Sequence, residues 1–365
     1  MRILSLNQDA GIGPERKKGA AVHLSAMRAA FASAGHAVVA VDEGEDARAE
    51  AAIDTAGERF DLLYERFALG KDLGSRFCSR HGIPHVLELN APLVEEQRAY
   101  RGSVAAETVE REARVFAGAS LVVAVSTQVA RYAVERGADA DRVLVCPNAV
   151  DPQRFAPHPD AWSLREMMVP PGRFVLGFHG RLRPWHGLEL LGAAMARLLA
   201  DDRDVHLLFV GEGHLGTALP KEVRDGHVTH VPWVEHADVP LYVSMFDALP
   251  LTYAPDGPTY FSPLKLAEAM ACGVVPVVPP LGDLGSLVVD GVTGLTYEAG
   301  DPDALARAVA RLVDEPALRT KLSEGARSHA GAHTWEDVAA AVLARVSAAG
   351  PAAVVEAGRT SDRSA

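Results

Sequence analysis

The sequence predicts an α/β protein of two doubly wound domains, each built on a parallel β-sheet with helices on both faces. Short apolar runs rich in β-branched residues alternate with alanine-rich helical patterns along almost the whole chain, as parallel sheets require. The 365 residues exceed one ordinary domain and fit two. Two prolines in three residues, at Pro157 and Pro159, interrupt the alternation near the middle.

The first half of the chain carries six strand patterns and four helix patterns. Strands are expected near residues 2–7, 36–42, 61–66, 84–90, 120–126 and 142–148, and helices near 20–34, 70–81, 94–117 and 127–136. We therefore assign residues 1–155 to an N-terminal domain, whose ligands should bind at the carboxyl ends of the strands. Residues 156–170 are predicted to be a linker.

The second half restarts the alternation and ends in helices. Residues 171–333 are predicted to form the second domain. Its closing helices are expected near 302–314 and 316–330, and a last helix near 334–348. Residues 350–365 carry no apolar period, so we predict a disordered tail.

The composition limits the classes of function. A formal net charge of −12 argues against a nucleic-acid-binding surface. The three cysteines, Cys78, Cys146 and Cys272, lie far apart in apolar surroundings, so neither a disulfide framework nor a zinc cluster is expected. The chain begins with a strand pattern and contains no run of 18 apolar residues. We therefore expect a cytoplasmic protein without an integral membrane segment.

The most informative stretch is Pro258–Val278, which reads as a turn, a short helix from about Pro263, a glycine stop and a buried strand. The free N–H groups at the helix N-terminus, beside Ser262 and Lys265, suit an anion, and Glu268 one turn later can accept protons from hydroxyl groups. A nucleotide presents such a phosphate and sugar hydroxyl together. The residues alone leave this open, because most helices that start with proline bind nothing.

This stretch resembles the signature of the retaining GT-B glycosyltransferases of family four, in which a loop, a helix start and the glutamate of Glu-Ala-Met-Ala-Cys-Gly hold a nucleotide diphosphate sugar. Some branches carry Ser-Pro-Leu-Lys before that glutamate, as this chain does at 262–265. The family's first glutamate, eight positions before Glu268, is Tyr260 here, a candidate sugar or acceptor contact. The resemblance implies two Rossmann-like domains facing each other across a cleft. It also implies that the helix over 334–349 returns to the first domain, anchored by Trp335.

Residues 173–191 resemble the family's phosphate clamp, Gly-Arg-Leu followed by Lys-Gly. Gly180, Arg181 and Gly187 match, and His186 stands where lysine is usual. Arginine can hold two phosphate oxygens in a bidentate fork, whereas histidine is a weaker, titratable donor. The alternative role for His186 is to cap the helix that follows.

The resemblance assigns further contacts to the ends of strands. Gly19 stands at the family's first of two consecutive glycines near the diphosphate. Trp233 and Val234 are candidates for the base pocket, although core packing is equally open for Trp233. Asn90 matches, by its place after the fourth strand, a histidine that contacts the transferred sugar in many relatives.

Three charged side chains of the first domain are further candidate contacts for sugar or acceptor. Glu65 and Arg66 end the third strand, and Glu88 precedes Asn90 by two residues. Because strand side chains alternate, Glu88 and Asn90 should point the same way, and His85 the other way as a packing residue.

The resemblance implies retaining transfer of a sugar from a UDP- or GDP-linked donor to a small-molecule or glycan acceptor. We expect a monomer or homodimer that uses no metal or other cofactor and binds no nucleic acid. Cationic side chains and a helix N-terminus would stabilise the departing diphosphate, and Glu268 would bind the ribose. The residues assigned to the chemistry are Arg181, His186, Lys265, Glu268 and Asn90. The residues assigned to the diphosphate are Gly19, Arg181, His186, Ser262, Pro263, Leu264 and Lys265.

Three alternatives remain open. A nucleotide-sugar epimerase of the same shape would need acid and base groups around the sugar, and the sequence singles out no such pair. An inactive binding or partner subunit is favoured by three departures from the family's motifs, at Tyr260, Ala20 and His186. A NAD-dependent enzyme would need Gly-x-Gly-x-x-Gly after the first strand, but Arg16 stands at the third glycine.

Overall fold

The computed structural model describes residues 1–12, 19–57 and 59–349. The chain divides into two compact units, which are described separately. Unit 1 comprises Met1–Asn148 and the chain from Trp335 onward, and unit 2 comprises Ala149–Thr334. The predicted tail over 350–365 and most of the predicted loop before Gly19 lie outside the described residues.

Unit 1 contains a six-stranded parallel sheet with strand order β2-β1-β3-β4-β5-β6. Its strands are β1 (Arg2–Asn7), β2 (Ala37–Asp42), β3 (Leu62–Arg66), β4 (His85–Leu89), β5 (Leu121–Ala124) and β6 (Val143–Val145). Its helices are α1 (Gly19–Ser33), α2 (Asp46–Thr55), α3 (Leu73–His81), α4 (Leu93–Arg101), α5 (Ala106–Gly118), α6 (Thr127–Glu135) and, after unit 2, α15 (Trp335–Ala349). Helix α15 packs on α1.

The six predicted strands of unit 1 are all present, but its helices differ from the prediction in two places. The single helix expected near 94–117 is two helices, α4 and α5, because Gly102 adopts a φ of 102° that ends α4. Helix α2 was not predicted. Its sequence is charged, and it buries only Ala49 and Ile53, so its apolar stripe is too narrow to read as a helix.

Unit 2 contains a second six-stranded parallel sheet with strand order β12-β11-β10-β7-β8-β9. Its strands are β7 (Phe174–His179), β8 (Val205–Val210), β9 (Val228–Val231), β10 (Ala248–Pro250), β11 (Val275–Val278) and β12 (Leu295–Thr296). Its helices are α7 (Ala161–Met168), α8 (Leu188–Ala200), α9 (Lys221–Arg224), α10 (Val239–Val243), α11 (Leu264–Ala271), α12 (Leu284–Leu287), α13 (Pro302–Asp314) and α14 (Pro316–Gly331). Every residue of β7 and β8 is buried, since helices cover both faces of the sheet.

The segment predicted as a linker, 156–170, belongs to the body of unit 2. Helix α7 lies within it, and Phe155, Ala161 and Val169 are buried in the core of unit 2. The nearby prolines and the shortness of α7 hide this packing in the sequence. The boundary of unit 1 also falls earlier than residue 155, at Asn148.

Two properties of the described residues bear on the expectations from composition. All three cysteines are buried and free of disulfide bonds. Within residues 1–12, 19–57 and 59–349, none of the helices combines the length and the apolar character needed to cross a membrane.

Candidate active site

Helix α11 carries the main sequence motif of unit 2. Pro263 is its N-cap and not its first residue, so the helix begins one residue later than predicted. Ser262 is buried just before the helix, and Lys265 is partly buried in its first turn. Gly273, with a φ of 81°, follows the helix and leads into β11. The predicted order of turn, helix, glycine and strand is therefore confirmed.

Glu268 is a buried carboxylate on α11, only 8 % exposed. Its Oε2 lies 2.8 Å from Nε2 of His179, the last residue of β7. Burial raises the pKa of Glu268, but the hydrogen bond from His179, with the electrostatic influence of His236 and Arg154, outweighs burial and holds the pKa below its ordinary value. Glu268 is thus an ionised acceptor at neutral pH. His179 was not predicted as a site residue.

Lys265 and His186 form a pair beside the ring of Phe178. The Nζ of Lys265 lies 3.9 Å from the centre of that ring and 3.4 Å from Nε2 of His186. Burial lowers the pKa of Lys265 to about 7, although the negative charge of Glu268 acts to raise it. The pair therefore changes its charge near neutral pH.

His186 caps the short turn that contains it and not the helix that follows, whose N-cap is Gly187. Its Nδ1 accepts a hydrogen bond from the backbone N–H of Arg183, at 2.9 Å, which caps the short 3₁₀ turn Pro184–His186. Burial, together with the charges of Lys265 and Arg183, lowers the pKa of His186 to about 3. The neutral ring then carries its proton on Nε2, the atom that faces Lys265.

Arg181 occupies the turn after β7, and its side chain is 53 % exposed. Its Nε donates to Oε2 of Glu212 at 2.7 Å. A phosphate bound by Arg181 would therefore have to displace Glu212, a residue that the sequence did not single out.

Aromatic side chains form a continuous group next to His186. The Phe261 ring stacks on Trp185 with centroids 5.8 Å apart and lies 5.9 Å from Tyr253, whose ring is 6.0 Å from His186. Tyr260 joins this group through Phe261, at 4.5 Å. The position where the family carries its first glutamate thus belongs to a partly buried aromatic group.

Unit 1 carries a second polar group, centred on Glu88 near the end of β4. Its carboxylate accepts hydrogen bonds from the Tyr64 hydroxyl and from Nη1 of Arg66, each at 2.6 Å, and from Nδ2 of Asn90. The Nε2 of His23 lies 3.1 Å from it. Glu88 and Asn90 therefore point the same way, as strand alternation predicted.

The charge of Glu88 is stabilised from several sides. Burial raises the pKa of this carboxyl, but His23, Arg66 and Tyr64 outweigh burial and bring the pKa well below its ordinary value. His23 also lies 2.6 Å from Oδ1 of Asn148 through its Nδ1, and its ring is edge-on to Trp335. His23 and Tyr64 come from α1 and β3, and no local motif marks either residue.

The sequence matches known proteins over most of its length. Residues 173–315 match the family described as "Glycosyl transferases group 1", and residues 47–149 match "Glycosyl transferase 4-like domain". A D-inositol 3-phosphate glycosyltransferase of Geodermatophilus obscurus is 34 % identical over 306 residues, which cover 80 % of this chain and 67 % of that protein. The chain belongs to the group 1 glycosyl transferases. The protein of the same name from Thermomonospora curvata is 30 % identical, over 79 % of this chain and 71 % of its own length.

Solved structures place this glycosyltransferase in the GT-B fold. HepE of Anabaena, solved in complex with UDP and glucose, superposes with a TM-score of 0.73 at 20 % identity, covering 95 % of this chain and 100 % of that one. Sucrose-phosphate synthase from Thermosynechococcus elongatus superposes with a TM-score of 0.74 at 19 % identity, covering 96 % and 100 %. The predicted fold class is confirmed.

The structure separates Glu65 from the other candidate contacts of this glycosyltransferase. Glu65 lies on the opposite face of β3 from Arg66, where its Oε2 is 2.7 Å from Nε2 of His85 and its carboxylate packs on Gly74. Both side chains of this pair are buried. Glu65 is therefore not part of the Glu88 group, because adjacent strand residues face opposite sides.

The remaining candidates lie in less defined surroundings. Trp233 is 47 % exposed, so it is not a core residue, whereas Val234 packs against the core of unit 2. Gly19 begins α1, and the residues just before it lie outside the described part. Among the described residues, no group of three or more His, Cys, Asp or Glu side chains is arranged to hold a metal ion.

Proposed function

We propose that this group 1 glycosyltransferase transfers a sugar from a UDP- or GDP-linked donor to a small-molecule or glycan acceptor, with retention at the anomeric carbon and without a metal ion. The observation that carries this proposal is the start of α11. There, Lys265 in the first turn and the ionised Glu268 three residues later offer a cation for a phosphate and an acceptor for a ribose hydroxyl on the same helix.

The diphosphate would be stabilised by groups of the chain itself. Cleavage of the bond to the sugar leaves negative charge on the phosphate oxygens, which cations and N–H donors stabilise. Lys265 offers an ammonium group, His186 an Nε2–H, and the start of the helix the backbone N–H groups of its first residues, Leu264 and Lys265. Arg181 would add a bidentate contact after it leaves Glu212.

Retention follows from a transfer on one face of the sugar. The acceptor oxygen bonds to the anomeric carbon while the bond from that carbon to the phosphate oxygen breaks. The departing phosphate takes the proton of the acceptor hydroxyl, so no carboxylate pair of the glycosidase kind is needed. In unit 1, Asn90 and Arg66, held by Glu88, would contact the sugar or the acceptor.

The relatives suggest where to begin with substrates. HepE was solved with UDP and glucose, which supports a uracil nucleotide as donor. The related proteins are named D-inositol 3-phosphate glycosyltransferases, so a phosphorylated inositol is the first acceptor to test.

The test is a transfer assay in EDTA with UDP- and GDP-linked sugars and D-inositol 3-phosphate or short glycans as acceptors. Proton NMR of the product should show the anomeric configuration of the donor, and chelation should leave the rate unchanged. An inverted product, or turnover that requires added Mg²⁺, would overturn the mechanism. Failure to release any nucleoside diphosphate would favour the inactive-subunit alternative.

A further inference from the structure

His179 is an unusual neighbour for the carboxylate of Glu268. It is 5 % exposed at the end of β7, and its Nε2 lies 2.8 Å from Oε2 of Glu268. Its other nitrogen, Nδ1, is fully buried and has no hydrogen-bond partner within the described part of the chain. A buried N–H without an acceptor is costly, so the proton resides on Nε2 and is donated to Glu268.

The two oxygens of Glu268 therefore have different environments. His179 donates its hydrogen bond to Oε2. Within residues 1–12, 19–57 and 59–349, no group donates a hydrogen bond to Oε1, and Oε1 is not one of the fully buried atoms that lack a partner. Within the described residues, His236 and Arg154 influence the pKa of Glu268 electrostatically and donate no hydrogen bond to it. Oε1 thus keeps both of its acceptor positions open to an incoming hydroxyl group, whereas His179 occupies one of those of Oε2.

We propose that His179 is a positioning residue that holds Oε2 of Glu268 and presents Oε1 alone to the ribose, so that Glu268 recognises one of the two ribose hydroxyl groups. This inference rests on the proposed function, in which Glu268 binds the ribose. It goes further, because it implies that removal of the ribose hydroxyl group that Glu268 does not bind leaves the affinity for the nucleotide nearly unchanged. A 2′- or 3′-deoxy analogue of the donor would be accepted, but not both.

The wild-type protein tests this directly. We expect calorimetric titration in EDTA to show that one of 2′-deoxy-UDP and 3′-deoxy-UDP binds within about twofold of UDP, while the other binds about tenfold or more weakly, as loss of a hydrogen bond to a charged acceptor predicts. The GDP series replaces the UDP series if guanine is the preferred base. Equal losses for both analogues, or no loss for either, would overturn the proposal.

Variants of His179 separate positioning from simple packing. His179→Leu should let the carboxylate turn and engage both hydroxyl groups, so that both deoxy analogues bind more weakly than UDP by similar factors. His179→Gln, whose amide N–H can reach Oε2, should restore the one-sided pattern. For the donor, KM should rise in His179→Leu while kcat changes little, because ribose binding is the same in ground and transition states.

The matched control is His206→Leu. His206 is a buried histidine on the neighbouring strand β8, hydrogen-bonded to Thr229 and not to Glu268. It should keep the wild-type pattern of deoxy analogues. If His179→Leu also keeps that pattern while binding UDP, His179 has no positioning role. If the wild type binds no nucleoside diphosphate at all, the proposed function itself fails, and this inference fails with it.

Discussion

Lys265 has the surroundings of a lysine that changes charge when its ligand binds. It rests on the Phe178 ring beside the neutral His186, and no carboxylate of the described residues lies within ion-pair distance of its Nζ. Burial lowers its pKa to about 7, so at pH 8 most molecules carry a neutral amine there. A diphosphate favours the ammonium form, because an opposite charge raises the pKa of an amine.

We therefore predict that UDP binding at pH 8 takes up close to one proton. Calorimetry in two buffers of different ionisation enthalpy measures this uptake directly, and affinity should fall as the pH rises from 7 to 9. Lys265→Arg, which stays charged throughout, should take up almost none. Equal proton uptake by the wild type and Lys265→Arg would contradict this assignment.

Arg181 makes a second prediction about the phosphate. Arg181→Ala should weaken UDP binding about tenfold while leaving uridine binding nearly unchanged, since a nucleoside carries no phosphate for the guanidinium. Arg203→Ala, which removes another arginine of unit 2 paired with Asp314, serves as the control and should affect neither ligand. Parallel losses of UDP and uridine affinity in Arg181→Ala would mean that Arg181 does not contact phosphate.

Local sequence pattern accounts for some site residues and not for others. The orientation of Glu88 and Asn90 followed from strand alternation, and Lys265 and Glu268 followed from the motif on α11. His179 and His23 could not be predicted, because each meets its carboxylate across the fold, from a strand or helix far away in sequence. The pairing of Arg181 with Glu212 was missed for the same reason.

At the scale of elements, the turn between β7 and α8 depends on Gly187. This residue has a φ of 57°, and a Cβ atom there would lie 1.9 Å from the backbone oxygen of Thr252. The hydroxyl group of Thr252 also donates a hydrogen bond to the backbone carbonyl of His186, the residue before Gly187, at 2.5 Å. Only glycine lets these two backbone segments approach so closely.

Gly187→Ala should consequently destabilise unit 2 by about 3 kcal/mol or more, the sum of the left-handed backbone cost and a clash with a backbone atom. Gly172→Ala isolates the first contribution, because Gly172 has a φ of 81° with no atom within 4 Å of the added Cβ. It should cost about 1 kcal/mol. Denaturant unfolding compares the two variants, and equal losses would show that the clash is relieved without cost.

The elements themselves were predicted well where they are apolar and periodic. The strands of unit 1 begin within one residue of their predicted positions, although β6 ends three residues early, and the closing helices α13 and α14 match their predicted bounds within one residue. The errors fall where short or charged helices lack a strong period. These are α2, the break at Gly102 between α4 and α5, and α7 in the predicted linker.

At the scale of the whole molecule, each unit carries a buried ionised carboxylate at its polar group, Glu88 in unit 1 and Glu268 in unit 2. A carboxyl whose pKa is lower in the folded state stabilises the fold above its unfolded pKa, near 4.5, and this stabilisation is lost as the pH falls. The polar groups that we propose for sugar and nucleotide binding should therefore also contribute to the stability of each unit.

Glu88→Gln should lower the free energy of unfolding by about 3 to 5 kcal/mol at pH 7, because it leaves Arg66 and His23 without their carboxylate. The difference from wild type should shrink as the pH falls below about 4. Glu112→Gln is the matched control. Glu112 is buried and bonded to Tyr132, but burial raises its pKa, so folding does not favour its ionised form and the neutral amide should cost less than Glu88→Gln does at pH 7. Chemical denaturation from pH 3 to pH 7 decides between them, and a constant loss for Glu88→Gln would contradict its ionised state.

The measurement that tests the account most directly is calorimetric titration of the wild-type protein with UDP, GDP and ADP in EDTA. Micromolar binding of one nucleotide without metal is the expected result, with the corresponding nucleoside binding far more weakly. Such a result would agree with a donor held at α11 by the chain's own cations. Absence of binding by all three, or binding only after Mg²⁺ is added, would contradict that claim.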